Sequence, residues 1–401
     1  MKFSSKILKC QLSPVRKFNP CADQAVAAGR TIYHLNIGQP DVKTPESFYQ
    51  AVREFREPTL EYAPASGLPA YIDAVRGYYA KLGVKLERED ILATSGGGEA
   101  LEFIMACILD DGDELLVPEP FYANYNTFTF MSGGVIHPIP TSADNGYRFA
   151  DRKLIESQIN ERTRAILVTN PGNPTGLVLT HEEMRVIADV VKEHDLFLVA
   201  DEVYREFIYD DEPMGTFCEM EDIKDHVIVV DSISKRFSAC GARIGSIISR
   251  NREFMAEAMK LCQGRLCTAT LDQTGAAAMY EHVQPSYFKE VRDEYKKRRD
   301  AVVEELNKIP GTKFHTPDGA FYMMVTLPVD DVEKLQYFLL EEFEDNGDTV
   351  MYAPGSGFYA DPPADGRSEI RIAYVHNCDY LRRAIQLLGK GIAAYNAKRG
   401  A

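Results

Sequence analysis

The chain has 401 residues, 45% hydrophobic and 26% charged, enough apolar surface for a sizeable core, which excludes wholesale disorder; at about 100 to 200 residues per domain it divides into two or three units. Its 45 Lys and Arg stand against 60 Asp and Glu, a formal charge of −15 that repels a phosphate backbone and argues against a nucleic-acid partner. No run approaches the roughly 18 apolar residues of a membrane span, and the opening MKFSSKILKC lacks the apolar core of a secretory signal, so a cytoplasmic protein is expected.

In chain order, Ile72, Val75, Tyr79 and Leu82 recur at helical spacing behind Pro69, with Gly83 near the end, which predicts a surface helix. Gly96, Gly97 and Gly98 then open a stretch, Glu99 to Leu109, that is apolar on nearly every side and reads as a buried helix. Short β-branched runs follow in alternation with helical stretches: Leu115 to Pro118, Val135 to Ile139, Ala165 to Thr169, Phe197 to Ala200, Val227 to Val230 and Ile244 to Ile248. That alternation predicts an α/β fold with a largely parallel sheet. Between two of these strands Thr180 and Glu183 form a capping-box pattern, and Met184, Ile187 and Val191 supply a buried stripe, which predicts a crossover helix. From about Glu281 to Leu306 runs one long charged helix pattern, and after Pro310 shorter strands and two further helices predict a second, smaller α+β unit. No repeat or low-complexity linker separates the units, so they should pack together.

Eight cysteines, at positions 10, 21, 107, 218, 240, 262, 267 and 378, form no CxxC pair and read as free thiols of a reducing compartment. The histidines show no HExxH spacing, and acidic pairs such as Asp210 with Asp211 read as solvated loops, so no metal site is expected.

Ligands of open α/β sheets collect at the carboxyl ends of strands. Asn170-Pro-Gly-Asn173-Pro-Thr-Gly176 follows one predicted strand, Asp201-Glu-Val-Tyr204 the next, and Asp231-Ser-Ile-Ser-Lys235 the one after; Thr94-Ser-Gly-Gly-Gly98 opens the buried helix. A phosphate cradle, an acid, hydrogen bonders and a lysine on one edge are what a pyridoxal phosphate site requires. The lysine must present a neutral amine to an aldehyde, which burial or a nearby cation favours; Lys235 is the candidate and Arg243 the cation. A carboxylate beside the pyridine nitrogen keeps it protonated, a role that suits Asp201. Glycines at a helix start let backbone N–H groups approach a phosphate, as Gly96, Gly97 and Gly98 would. No GxGxxG follows an early strand with an acid at the right distance, which argues against a nucleotide-binding dehydrogenase.

With these motifs in this order, the sequence resembles the class I/II aminotransferases, the fold-type-I pyridoxal phosphate enzymes. Ser232-Ile-Ser-Lys235-Arg-Phe-Ser-Ala-Cys-Gly-Ala-Arg243-Ile-Gly245 is similar to the family's lysine signature, Leu35-Asn-Ile-Gly38-Gln-Pro-Asp41 to its early glycine motif, and Glu369-Ile-Arg371-Ile-Ala to its late arginine motif. The resemblance implies a large domain over 47–284, with a mostly parallel seven-stranded sheet between helices, and a small α+β domain from 1–46 and 285–401. It implies that Lys235 condenses with the cofactor, Asp201 pairs with the pyridine nitrogen, and Asn173 and Tyr204 hydrogen-bond the ring's 3-oxygen. Ser232, Arg243 and the backbone of Gly97 and Gly98 would hold the phosphate, Tyr122 would stack on the ring, and Tyr62 would reach the phosphate of a partner subunit in a homodimer. Gly38, Asn173 and Arg371 would bind substrate, Arg371 gripping the α-carboxylate bidentately.

The implied reaction is ping-pong transfer of an amino group between a small L-amino acid and a 2-oxo acid, with aspartate or glutamate type substrates favoured. A β-lyase on the same fold is the alternative, since β-elimination also begins with loss of the Cα proton; a non-catalytic regulatory protein is disfavoured by the acidity and by the lack of room for a helix-turn-helix before Gly38. Many bacterial aspartate-type members carry a lysine after the paired glycines, where this chain has Gly98 and Glu99. Arg265 from a partner subunit is one candidate to read a distal carboxylate. Arg16 is another if its arm covers the entrance, although a solvated arm is the expectation.

Overall fold

The computed structural model describes residues 1–209, 214–360 and 367–400, so the Asp210–Asp211 pair lies outside the described residues. The strands are β1 (Thr31–His34), β2 (Ile91–Thr94), β3 (Glu114–Pro118), β4 (Val135–Ile139), β5 (Thr163–Thr169), β6 (Phe197–Asp201), β7 (Val227–Ser232), β8 (Gly245–Ile248), β9 (Lys313–Phe314), β10 (Tyr322–Thr326), β11 (Asp348–Met351), β12 (Ala353–Pro354) and β13 (Glu369–Ala373). Seven of them form one α/β sheet in the order β2-β8-β7-β6-β5-β3-β4. Its pairs are parallel except at β8, which runs antiparallel to both β2 and β7.

Successive side chains of a strand point to opposite faces. Ile166, Val168, Leu198, Ala200 and Val229 therefore enter one hydrophobic core, and Ala165, Leu167, Val199, Ile228 and Val230 enter another. With helices on both faces, the central strands read as continuous apolar runs, and the first polar residues after each run mark the sheet's carboxyl edge. The crossover helix His181–Glu193 starts at the expected capping box: Glu183 N–H donates to the Thr180 hydroxyl at 3.1 Å, and Thr180 N–H donates to the Glu183 carboxylate at 2.9 Å. Such a cap contributes about 1 kcal/mol.

A third core surrounds the antiparallel sheet β12-β13-β10-β9 and includes Val302, Leu306, Leu381 and Leu388 from the helices Pro285–Leu306 and Cys378–Gly400. Near the amino terminus, β1 pairs in parallel with β11, and the fully buried Phe18 anchors the preceding segment by its edge-on contact with Tyr337.

One helix start shifts and one strand is added to those expected. The long charged helix is present as Pro285–Leu306 and begins four residues later than expected, Glu281 falling at the end of the preceding helix Thr270–His282; Pro285 takes the first helical position, where no N–H is needed. The helix Pro69–Lys81 lies at the surface as expected, with Pro69, Ala70, Gly77, Ala80 and Lys81 exposed; Tyr71, Tyr78 and Tyr79 widen its buried stripe, and Tyr71 and Tyr78 meet Tyr280 of the helix Thr270–His282. Strand β2, four residues long and directly followed by the glycine run, was not expected; its place is fixed by pairing with β8.

Candidate active site

The carboxyl ends of β5, β6 and β7 and the start of the helix Gly97–Ile108 converge on a cavity of about 340 Å³, also walled by β10, β13 and the segment 37–39. Gly38, Gly97, Gly98, Tyr122, Asn173, Asp201, Tyr204, Ser232, Lys235, Arg243 and Arg371 all line it. Residues spread over more than 330 positions of sequence thus share one wall. Gly96 and Tyr62 do not line it.

Lys235 sits in the single helical turn Ile233–Arg236 that ends β7. Its Nζ donates to the carbonyl of Gly38 at 2.9 Å and lies 3.9 Å from Cys240 Sγ. The same carbonyl accepts the Tyr322 hydroxyl at 3.3 Å. Gly38 cannot carry a side chain, since a Cβ there would overlap Tyr322. Ser232 caps the turn, its Oγ accepting Ser234 N–H at 3.1 Å.

Asp201, the last residue of β6, is buried; Oδ2 accepts the Tyr125 hydroxyl at 2.6 Å and Oδ1 the Val203 N–H at 3.4 Å. Burial pushes its carboxyl up to about 6, against those hydrogen bonds and the Lys235 charge, which favour ionisation. Beside it, Asn173 Nδ2 donates to the Tyr204 hydroxyl at 3.5 Å, and that hydroxyl lies 3.0 Å from the hydroxyl of Tyr322. Burial raises the Tyr204 phenol well above its ordinary value. Tyr122 is half-buried, edge-on to Tyr125 with ring centroids 5.4 Å apart, and burial pushes its phenol up to about 12.

At the helix start the N–H groups of Gly97 and Gly98 have no acceptor within the helix. Gly96 caps the helix with φ at +81° and packs behind Arg243: a Cβ there would lie 2.6 Å from Nη2. Arg243 donates to the carbonyls of Cys240 at 3.1 Å and Ser95 at 3.2 Å, which aims its charge along the rim of the glycine turn.

Arg371, on β13, is 3% exposed and so is no surface ion pair. Nη1 donates to Asn173 Oδ1 at 3.2 Å and Nη2 to the carbonyl of Asn36 at 2.7 Å, while Nε has no hydrogen-bond partner. The guanidinium stacks between Tyr322 and Phe358, 4.5 and 4.9 Å from the ring centroids. No carboxylate pairs with it among the described residues.

Two further arginines separate here. Arg265 is held by Glu99 at 3.0 Å and by the carbonyls of Ala65 and Ala93, away from the cavity. Residues 13–16 of the amino-terminal arm lie along the cavity, with Ser13, Val15 and Arg16 in its lining and the Val15 carbonyl accepting Asn36 Nδ2 at 2.8 Å, while Arg16 and most of residues 1–12 are exposed. Arg16 itself makes no ion pair among the described residues. Tyr62 is 81% exposed, beside a depression formed with Leu60, Cys267 and Leu271.

The sequence reading missed Tyr322, Asn36 and Phe358, and gave Tyr125 no role. A signal existed for Tyr125, three residues after Tyr122, to whose carbonyl its N–H donates at 2.9 Å just ahead of the helix Asn124–Ser132. For the others it did not, since their places depend on how β10, the segment 35–38 and the turn before β13 pack.

The family model described as aminotransferase class I and II matches residues 30–388. The chain is 31% identical over 367 residues to the probable aspartate/prephenate aminotransferase of Aquifex aeolicus, covering 89% of this chain and 91% of that one. Its fold superposes on the aspartate aminotransferase of Thermus thermophilus with maleate at a TM-score of 0.87 and 27% identity, and on an alanine aminotransferase from Pyrococcus furiosus at 0.88 and 28%; each comparison covers 98% of this chain and 100% of the other.

Proposed function

The chain belongs to the class I and II aminotransferases, and we propose that it exchanges an amino group between a small dicarboxylic L-amino acid and a 2-oxo acid on pyridoxal 5′-phosphate, in two ping-pong half-reactions. The observation that carries this reading is Arg371, a buried guanidinium without a carboxylate partner among the described residues, opening on the same cavity as Lys235. A buried unpaired cation is costly; the carboxylate of an amino or 2-oxo acid supplies its counter-charge and accepts its fork of donors.

The donor set fits the cofactor. Gly97 and Gly98 N–H, Ser232 and Arg243 match a phosphate; Asp201 suits a pyridine nitrogen, Asn173 and Tyr204 a ring oxygen, and the face of Tyr122 a flat ring. When bound, pyridoxal phosphate supplies an aldehyde for amines and a ring that accepts electrons from the bond broken at the substrate Cα. Arg371 holds the α-carboxylate and fixes rotation about Cα, so that the Cα–H bond, rather than the bond to the carboxylate, is the one exposed to a base. Lys235, once its amine is free, would take the proton from the substrate Cα as general base and, as general acid, deliver it across the nitrogen to the carbon of the former aldehyde. Asp201 keeps a proton on the ring nitrogen throughout. Arg16 is the residue we assign to the distal carboxylate: it lines the cavity, has no ion pair among the described residues and is given no other role, whereas Arg265 is neutralised by Glu99.

Exposed Tyr62, Leu60 and Leu266 support a homodimer in which Tyr62 reaches the phosphate of the neighbouring site. Eight free thiols support a cytoplasmic setting.

The test is the visible spectrum of the cofactor-loaded protein. Aspartate or glutamate should convert the bound cofactor to its amine form and a 2-oxo acid should restore it, with alanine slower. Ammonia release without any acceptor would overturn transamination in favour of a β-lyase.

A further inference from the structure

Behind the turn that presents Ser232 and Lys235 lies an ion pair that the chemistry above does not use. Asp231 and Arg236 are each 1% exposed, and Arg236 Nη1 lies 2.8 Å from Asp231 Oδ2. In sequence they bracket the turn, Asp231 just before Ser232 and Arg236 just after Lys235. Asp231 Oδ1 accepts the N–H of Ser232 at 2.7 Å, so one carboxylate grips both ends of the segment whose middle faces the cavity. Around the pair, the Tyr79 hydroxyl donates to Asp231 at 3.3 Å, Arg236 donates to the Tyr280 hydroxyl at 2.6 Å, and the guanidinium covers Tyr78 at 4.1 Å from its centroid. Glu206 lies 3.9 Å from Arg236 Nε, and Nε and Nη2 have no hydrogen-bond acceptor.

For stability alone, a buried ion pair is a poor brace, because apolar side chains of similar volume serve as well or better. What apolar side chains do not supply is charge balance, and here a second acid is close. Asp201 pairs in register with Val230, the residue before Asp231, and a bare charge on Asp231 opposes ionisation of Asp201. The Tyr125 hydroxyl, the Val203 N–H and the Lys235 charge favour the charged form of Asp201, and the phenols of Tyr122 and Tyr204 also lie within its electrostatic reach.

We propose that Arg236 is a positioning residue for the cofactor: it neutralises Asp231 at the end of β7, so that Asp201 alone presents negative charge to the ring nitrogen. This rests on the pyridoxal phosphate reading of the cavity. Arg236→Met keeps an unbranched stem as far as the position of Nε and removes the charge, leaving Asp231 buried and uncompensated beside Asp201.

The experiment titrates purified wild type, R236M, R236K and the D231N/R236M double variant with pyridoxal phosphate from pH 6 to 9, reading the dissociation constant and the absorption band of the bound cofactor, with circular dichroism as the control for folding. R236M should bind about tenfold or more weakly at pH 7, with the loss shrinking toward pH 9 as Asp201 ionises. R236K should stay within a few-fold of wild type. The double variant removes both charges together and should recover to within about threefold of wild type, which a purely steric role would not allow. If R236M does not fold, the double variant decides. A folded R236M with wild-type affinity and pH profile, or a folded double variant that binds at least tenfold more weakly than wild type, overturns the proposal. Failure of the wild type to bind pyridoxal phosphate would refute the cofactor reading itself.

Discussion

Replacing Asp201 by Asn separates the cost of building this site from its use. Burial raises the Asp201 carboxyl from 3.8 to about 6 in the folded chain, so between those values the folded protein holds a proton that the unfolded chain has released. Stability contributed by this group is therefore present at low pH and is lost as pH rises through the window, by about 3 kcal/mol in all at 1.36 kcal/mol per unit. Between pH 5 and 8 the linkage equation assigns about 1.4 kcal/mol of that loss. The amide of the variant carries no charge at any pH and so lacks this slope. It keeps one acceptor for the two donors now facing the carboxylate, Tyr125 and Val203, a pH-independent loss of roughly 1 kcal/mol. The expected result, from urea denaturation of the cofactor-free proteins, is a variant whose advantage over wild type grows by about 1.4 kcal/mol from pH 5 to 8 and reaches about 2 kcal/mol. The same variant should lose about 100-fold or more in transamination, because an amide cannot hold the ring nitrogen's proton. Stability profiles that run parallel over pH 5 to 8 would refute the argument that Asp201 is held near neutrality by its surroundings.

Lys235→Ala should bind pyridoxal phosphate but lose transamination by about 10⁴-fold, the upper range for a positioned acid-base group, as read by single-turnover absorption. Arg371→Ala should raise KM about 100-fold for amino and oxo acid alike, the value of two charge-assisted hydrogen bonds, and equal KM values in one half-reaction would contradict its role. Arg16→Ala should weaken dicarboxylic substrates by about five- to tenfold while leaving alanine turnover unchanged, the modest effect expected of a solvent-exposed charge. Arg265→Ala breaks a largely buried pair with Glu99 and should destabilise by about 2 kcal/mol without altering the ratio of aspartate to alanine turnover; a changed ratio would return Arg265 to the substrate pocket.

Which polar residues come to the carboxyl edge of the sheet is legible in the chain alone. A strand buried on both faces must be apolar throughout, so the change to polar residues at Asn170, Asp201 and Asp231 is written into the chain, as are the capping box at Thr180 and the glycine run before the buried helix. Those are local signals, set by periodicity and by the needs of helix ends. What no local pattern carries is which distant groups meet. Arg265 and Glu99 are 166 positions apart, and only their 3.0 Å contact removes that arginine from the substrate pocket. Arg16 was a candidate from the sequence, but its place at the cavity depends on the Asn36 contact that holds its arm at Val15. Tyr322 joined the site through the packing of β10, and the grip of Arg236 on Asp231 required the turn at Lys235 to fold back on itself. Composition and spacing fix where a backbone can be apolar or capped; the pairing of charges across the core depends on register and packing between elements, and these exist only once the whole chain has folded.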